Sequence, residues 1–433
     1  MNLPKLPAFP GKIPNISKLF SKSGSSDSDV YAVVDVGSAT VRAAIIELTD
    51  EGVLILGRGH AKQHPDTMYG GVVGNLDSLI ESIDSALSQA NNRAGVSSEQ
   101  LILGLGGAMV CGVTTMVHLN RPQAREKIES KEFNLILERI SQTALVDAEN
   151  TASEEMSLDK EELRLVNAAI TNISLDGYTV SSPIGFSGKE VEICLFNAFI
   201  AQNTLVVLQK ILTELGVDLA ALTSGPYALA ELVVAKSKKP QLATGLVVDV
   251  GSGSTSVTLV EQGSVVGSKS YPLGGQAITR HLANSLEMSI EEAEKVKKDY
   301  AQGKVLEAQQ KKIHPIVTGE VDLWLQGLGL ALAELQHNNE PLPEVLYMTG
   351  GGSMLPDLEQ RLKQEKWAKK IGFAEAPRIE YVRVEEIPGL VDESHVLEPT
   401  DNVLAALSLF WQQRQKEDGR VSDALQKTLE SME

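Results

Sequence analysis

Cysteine is nearly absent, with two in 433 residues. No disulfide framework can therefore hold this chain together, and its thiol content suits a reducing compartment. Histidine is also scarce, at seven residues and with no HExxH arrangement, so a zinc enzyme is not expected. Positive charge falls short as well: 39 Lys and Arg against 57 Asp and Glu leave a net charge of −18. That balance repels a phosphate backbone and argues against nucleic acid as a partner. Long hydrophobic runs are missing too. The longest uncharged stretch, Leu101 to Val117, carries Gly104, Gly106, Gly107, Gly112 and the pair Thr114-Thr115, which suit strand and turn. A spanning helix of about 20 apolar residues is not expected. Pro4, Pro7, Pro10 and Pro14 break up the first 28 residues, so no signal peptide is read there and a cytoplasmic protein is expected.

What is present is an ordinary globular composition, 42% hydrophobic and 22% charged. At about 150 residues per domain, the length suggests two or three domains. Residues 1–29 read as a tail with Lys5, Lys12, Lys18 and Lys22, ending in the serine-rich linker Ser23 to Ser28. With Ile13, Ile16, Leu19 and Phe20 it is either a tether for an anionic membrane or acidic partner, or a solvated extension. Strands are expected at Tyr31 to Val34, Val41 to Leu48 and Gly52 to Gly59, from their β-branched density. A helix is expected over Leu76 to Ala94, stopped by Gly95, and another over Thr204 to Gly216. Between them, 126–166 is charge-rich and helical, with strands resuming at Ala168. A second sheet is expected from Gly245, then helices over Gly274 to Ala301 and Gly319 to Gln336. A strand over Leu346 to Gly352, a helix over Pro356 to Gln364 and a buried helix over Asn402 to Arg414 follow.

The informative feature is an internal repeat. Val33-Val34-Asp35-Val36-Gly37-Ser38 recurs letter for letter as Val247-Val248-Asp249-Val250-Gly251-Ser252, which argues for two related structural halves. Each copy is an apolar strand ending in an aspartate, a tip of small residues, and a second apolar strand. A tip without bulk lets backbone N–H groups approach an anion and point at it. Ser38 and Thr40 in the first tip, and Ser252, Ser254 and Thr255 around Gly253 in the second, add hydroxyl donors. Two facing tips would clamp a di- or triphosphate, with Arg42 on a phosphate oxygen. Asp35 and Asp249 suit a hydrated Mg²⁺, which needs few direct carboxylate bonds. A strand running into Thr349-Gly350-Gly351-Gly352-Ser353 could admit a ribose and base close to the backbone. Pro272-Leu273-Gly274-Gly275 opens a helix. Glu294 and Lys297 share a helix face, either as a surface ion pair or at the ribose and base.

In this order the elements resemble the actin, Hsp70 and sugar-kinase superfamily. Within it the chain looks like the bacterial cell-division actin FtsA and its relative PilM of type IV pilus assembly, from Val30 to Trp411. Leu175-Asp176-Gly177-Tyr178 with Ser182 to Gly188 is similar to the inserted SHS2 subdomain of FtsA. Leu273 to Thr279 with Glu292 to Lys297 is similar to its adenosine-side helices. The resemblance implies an α/β actin-like ATPase fold, in which two duplicated α/β domains flank a nucleotide cleft and an SHS2-like α+β subdomain is inserted. It implies a tail at 1–29, subdomain 1A from 30–107 and 217–242, and the insertion at 108–216. Domain 2 would run over 243–411, with a reduced 2B around 276–320, and a C-terminal tail over 412–433. ATP and Mg²⁺ would lie between Asp35, Gly37, Ser38 and Arg42 on one side and Asp249, Gly251, Gly253, Ser254 and Thr255 on the other. Gly274, Gly275, Glu294, Lys297 and Thr349 to Ser353 would hold the adenosine. The partners implied are further copies of the chain in a protofilament, division proteins including FtsZ or pilus assembly proteins, and a peripheral membrane contact.

Three departures sharpen that expectation. Leu222 to Ala230 offers no Gln or Glu to orient an attacking water, Glu231 being the nearest, so binding with slow turnover at best is expected. The stretch from Asp299 to His314 is shorter than the FtsA subdomain that receives the FtsZ tail, which moves the chain toward PilM. Val421, Leu425 and Leu429 make only a narrow stripe with few basic residues, which counts against a C-terminal membrane helix.

Overall fold

The computed structural model describes residues 29–416 apart from 65, 70, 71, 107, 108, 181 and 337–340. The expected N-terminal tether and C-terminal stripe lie outside the described residues. The chain opens with an antiparallel meander, β1 (Val30–Val36), β2 (Thr40–Leu48) and β3 (Val53–Lys62). After a small ribbon, β4 (Met68–Tyr69) and β5 (Val72–Val73), comes α1 (Leu76–Ala94). Its apolar stripe of Leu79, Ile83, Ala86, Leu87 and Ala90 is buried, and Gly95 closes it in a left-handed conformation. β6 (Gln100–Leu105) then pairs parallel with β1.

A second sheet is built from β7 (Cys111–Asn120), β8 (Leu163–Leu175), β9 (Tyr178–Thr179) and β10 (Glu190–Ala201), with α2 (Ser130–Met156) between its first two strands and α3 (Gln202–Leu215) after the last. One face of this antiparallel sheet packs Ile173, Val191, Ile193 and Leu195 against Phe133, Ile136, Leu137 and Ile140 of α2. The other joins the first core through Val166, Phe196, Ala198 and Ile200. β8 begins at Leu163 rather than Ala168. The charges that suggested continued helix, Lys160 to Glu162, form one 3-10 turn, and pairing with β10 starts at Leu163 opposite Ala201.

The chain then returns to the first sheet as β11 (Asp218–Ser224), parallel to β6, and enters α4 (Gly225–Lys236). α4 is buried nearly all round, so no amphipathic period marks it. It crosses into the third sheet near residues 243–244. There β12 (Gly245–Val250), β13 (Thr255–Glu261) and β14 (Ser264–Tyr271) form a meander. Next come α5 (Gly275–Leu286), α6 (Ile290–Ala301), α7 (Glu307–Leu335), β15 (Val345–Thr349), α8 (Pro356–Leu362), α9 (Glu365–Ile371) and β16 (Arg378–Tyr381). The first sheet runs β11-β6-β1-β2-β3, with a short return strand beyond β3, and the third β16-β15-β12-β13-β14. The first four residues of the repeated hexapeptide end an inner strand of each, β1 and β12. In each it lies antiparallel to its hairpin partner and parallel to the strand that follows the first helical segment. The sequence duplication is thus a duplication of topology.

Two differences from expectation concern the second half. α7 starts at Glu307, twelve residues before the expected Gly319, and runs through Pro315, which lacks the N–H for one helical bond. Its first two turns, Glu307 to Lys312, are exposed and carry no apolar stripe to betray them. By length and composition α7 is a helix able to cross a membrane, although no such span was expected. Here Val317, Val321, Trp324, Leu325, Leu328 and Leu332 pack in the core of the third sheet. The second difference is the extent of domain 2. From Val382 the chain goes back to the first half: β17 (Leu390–Val391) pairs with β3, and α10 (Asn402–Lys416) buries Leu404, Leu407 and Phe410 in the first core. The boundary expected at 411 is therefore not observed, and α10 runs through it to Lys416. A continuous apolar run says that a helix is buried, not which sheet it covers.

The candidate cleft between the two halves

Both hairpin tips reach the same crevice. In the first, Asp35 lies opposite Arg42, and in the second Asp249 lies opposite Ser256. The second tip is closed by a bond from the Gly251 N–H to the Ser254 carbonyl, 3.0 Å. The tips meet: a Cβ placed on Gly253 would stand 2.8 Å from the Ser38 hydroxyl oxygen. Burial pushes the Asp35 carboxyl up to about 6, opposed by Arg42 and assisted by the charge of Asp401. Burial likewise pushes Asp249 up to about 6, with the negative charge of Asp35 adding to it. The two aspartates therefore feel one another across the crevice. A pair of half-buried acids that resist losing both protons is a donor set that a divalent cation would relieve.

Arg42 does not reach out into the crevice. Its Nη1 stands 3.6 Å from Asp35 Oδ2 and its Nε 3.4 Å from Asp401 Oδ1. Thr255, expected as a hydroxyl donor at the tip, faces the other way. It is fully buried, donates to the Leu273 carbonyl at 2.7 Å and accepts from the Trp324 indole at 2.8 Å. Ser252 and Ser254 remain at the partly exposed tip.

The glycine turn after β15 sits directly on the second hairpin. Gly350 has φ +82°, and a Cβ there would lie 2.4 Å from Asp249 Oδ1 and 2.5 Å from the Val250 carbonyl. Only glycine fits both demands. Thr349 and Ser353, expected beside the adenosine, are buried instead. Thr349 Oγ1 accepts from Asn402 Nδ2 at 2.8 Å, and the Ser353 hydroxyl donates to the Gly350 carbonyl at 2.7 Å. Gly351 and Gly352 are the accessible part of that turn. The start of α5 is tied to the same hairpin, the N–H groups of Gly275 and Gln276 donating to the carbonyls of Gly251 and Ser252 at 3.0 and 2.9 Å.

Glu294 and Lys297 form more than a surface ion pair. Lys297 Nζ is surrounded by Glu294 Oε2 at 2.7 Å, Thr279 Oγ1 at 2.8 Å and the Gly275 carbonyl at 2.9 Å. Burial alone would raise the Glu294 carboxyl, but Lys297 and the Thr279 hydroxyl bring it below the usual range. The pair joins α6 to the start of α5, beside Gly352 and Gly275, and so borders the crevice opposite the first hairpin.

Three residues that the sequence reading passed over complete the floor. Gln63 Nε2 donates to the Gly37 carbonyl. Asp401, fully buried at the start of α10, pairs with Arg58 as well as Arg42. Asn402, its neighbour, bonds Thr349 and the Val382 carbonyl. An aspartate before an apolar run suggests a helix cap; that its side chain instead meets the arginines of β2 and β3 is not readable.

Two sheets of one topology, each with an acidic corner on a shared crevice, define an actin-like fold. The comparisons with known proteins agree. A family model described as "Cell division protein FtsA" matches residues 246–392. The cell division protein FtsA of Bacillus subtilis (strain 168) is 23% identical over 292 residues, which are 67% of this chain and 62% of that protein. FtsA of Neisseria meningitidis serogroup B is 24% identical over 348 residues, 75% of this chain and 78% of that one. Among solved structures, a chain of the PilM-PilN type IV pilus biogenesis complex superposes with a TM-score of 0.61 at 18% identity. That match covers 88% of this chain and 98% of that one. The chain has the actin fold and is similar in sequence to FtsA.

Proposed function

We propose that this chain is an ATP-binding scaffold of the FtsA type, at work on the cytoplasmic side of the bacterial membrane. It would assemble into protofilaments and link a division ring to partner proteins. The observation that carries the reading is the meeting of the repeated Asp-Gly corners at one crevice, Ser38 against Gly253, with Asp35 and Asp249 both raised by burial and Asp249 further by the charge of Asp35. The residues fit the nucleotide. Asp35 and Asp249 would hold Mg²⁺ through water, Gly37, Ser38, Gly251, Gly253 and Ser254 would face the phosphates, and Gly275, Gly351, Gly352, Glu294 and Lys297 would border the adenosine. Bound Mg²⁺ would neutralise phosphate charge.

Turnover would be slow. The start of α4, where a water-orienting side chain would be needed, is filled by Tyr227 stacked on Phe196 at 4.0 Å and edge-on to Phe410 at 6.1 Å. The four-stranded sheet with α2 and α3 would be the SHS2-type insertion and a partner-binding part. A second reading, a cytoplasmic adaptor of type IV pilus assembly, is favoured by the extent of likeness to the PilM-containing structure and by the short segment between α6 and α7.

Titration calorimetry with ATP, with and without Mg²⁺, tests the site: Mg²⁺-dependent binding is expected, and its absence would remove the reading. Co-sedimentation with anionic vesicles and ATP tests the scaffold, and polymer is expected in the pellet. A monomer under every nucleotide and lipid condition favours the pilus adaptor.

A further inference from the structure

Asp401 has no solvent exposure and supports two arginines at once. Arg58 approaches through Nε at 2.9 Å from Oδ2 and Nη2 at 3.2 Å from Oδ1. The Glu398 N–H donates to Oδ2 at 2.7 Å, so that oxygen is fully engaged. Oδ1 is the oxygen turned to Arg42, 3.4 Å from its Nε. Arg42 in turn stands 3.6 Å from Asp35, so it closes to a short hydrogen bond with neither acid. Arg42 is thus shared between an aspartate fixed in the floor and an aspartate at the crevice.

We propose that Asp401 is a positioning residue for the nucleotide site: it holds Arg42 back from Asp35, so that Asp35 and Asp249 stay available to a hydrated divalent cation. This rests on the nucleotide reading above. The physical reason is competition. A guanidinium and a metal ion seek the same carboxylate oxygens, and an arginine without another acid partner closes to a bidentate pair near 2.8 Å. Such a pair would neutralise Asp35 and place a fixed positive charge where the cation belongs. Asn402 extends the arrangement to the other half through Thr349 and the Val382 carbonyl. Asp401, just before α10, and Asn402, its first residue, therefore set the spacing between the first hairpin and the glycine turn of the second half.

The test uses the full chain and Mn²⁺ as the probe, its uptake in the presence of ATP followed by electron paramagnetic resonance. Asp401→Asn keeps the shape but weakens the hold on Arg42, and the Mn²⁺ midpoint should rise about tenfold. In Asp401→Asn with Arg42→Met, the midpoint should return to within about threefold of the original. A merely structural role for Asp401 would not be reversed by removing Arg42. Should Asp401→Asn not fold, Arg42→Met alone decides, since its side chain is partly exposed: tighter or equal Mn²⁺ binding supports competition, and weaker binding overturns it. An unchanged midpoint in folded Asp401→Asn also overturns the inference. Absence of Mn²⁺ and ATP binding in the unaltered protein would instead overturn the nucleotide reading itself, and Asp249→Asn, expected to abolish uptake, separates the two failures.

Discussion

Ser38 and Gly253 touch across the crevice, where a Cβ on Gly253 would fall 2.8 Å from Ser38 Oγ and 3.0 Å from Ser38 Cβ. Gly253→Ala should therefore wedge the hairpin tips apart and weaken ATP binding about tenfold, with little loss of fold stability because the tips are partly exposed. Ser38→Gly in the same chain removes both colliding atoms, and most of the affinity should return. Calorimetry on the single and double variants measures the coupling directly, and additive losses would show that the tips do not meet.

The two raised aspartates make stability pH-dependent. Each titrates near 6 in the folded chain against 3.8 as the ordinary value, so the folded state binds protons more tightly than the unfolded one. That contribution is present at low pH and is lost as pH rises through about 4 to 6. Mg²⁺ competes with those protons. Its stabilising effect in a thermal melt with ATP should be clearly larger at pH 7.5 than at pH 5, and a pH-independent shift would exclude these aspartates as the cation site.

Two glycines should respond oppositely to alanine. Gly350→Ala combines φ +82° with contacts of 2.4 and 2.5 Å and should cost on the order of 2–4 kcal/mol. Gly319 lies within α7 with nothing within 4 Å of its added Cβ. Gly319→Ala should stabilise by about 0.5–1 kcal/mol. Denaturant unfolding checks both signs.

Lys269 on β14 pairs with Glu155 on α2 and, at 3.3 Å, with Glu334 on α7. Nearby, the Thr114 hydroxyl donates to the Val265 carbonyl at 2.9 Å and the Ser264 hydroxyl to the Thr171 carbonyl at 3.1 Å. Lys269→Met should cost about 1 kcal/mol or less. It should also speed hydrogen exchange in β7 and β14 selectively, whereas uniform exchange would mean that the contact does not fasten the four-stranded sheet to the second half.

Much of this was legible in the sequence because it was local. The stripe of α1, the stop at Gly95 and the two acid-tipped hairpins each follow from a few neighbouring residues. The repeat gave more, since identical strands in two places imply the same pairing twice. What escaped notice depended on distant partners. Thr255 resembles Ser254 as a hydroxyl donor until the Leu273 carbonyl takes its proton and Trp324, 69 positions away, takes its oxygen. Arg42 resembles a phosphate ligand until Asp401 arrives from the last helix. α4 is buried nearly all round and the first half of α10, Val403 to Trp411, is a nearly unbroken apolar run, which announces burial but no address.

The passage of the chain between its halves has a mechanical consequence. It crosses at residues 243–244 and comes back after Tyr381, so the third sheet and its helices are joined covalently to the rest at two places, beside the packing of Val247, Val260 and Val265 in the first core. A rotation about the line through those two attachments, much as a page turns on its binding, would leave both joints in place. Widening the crevice would then be one rotation, and a single covalent tie placed away from that line would be enough to arrest it.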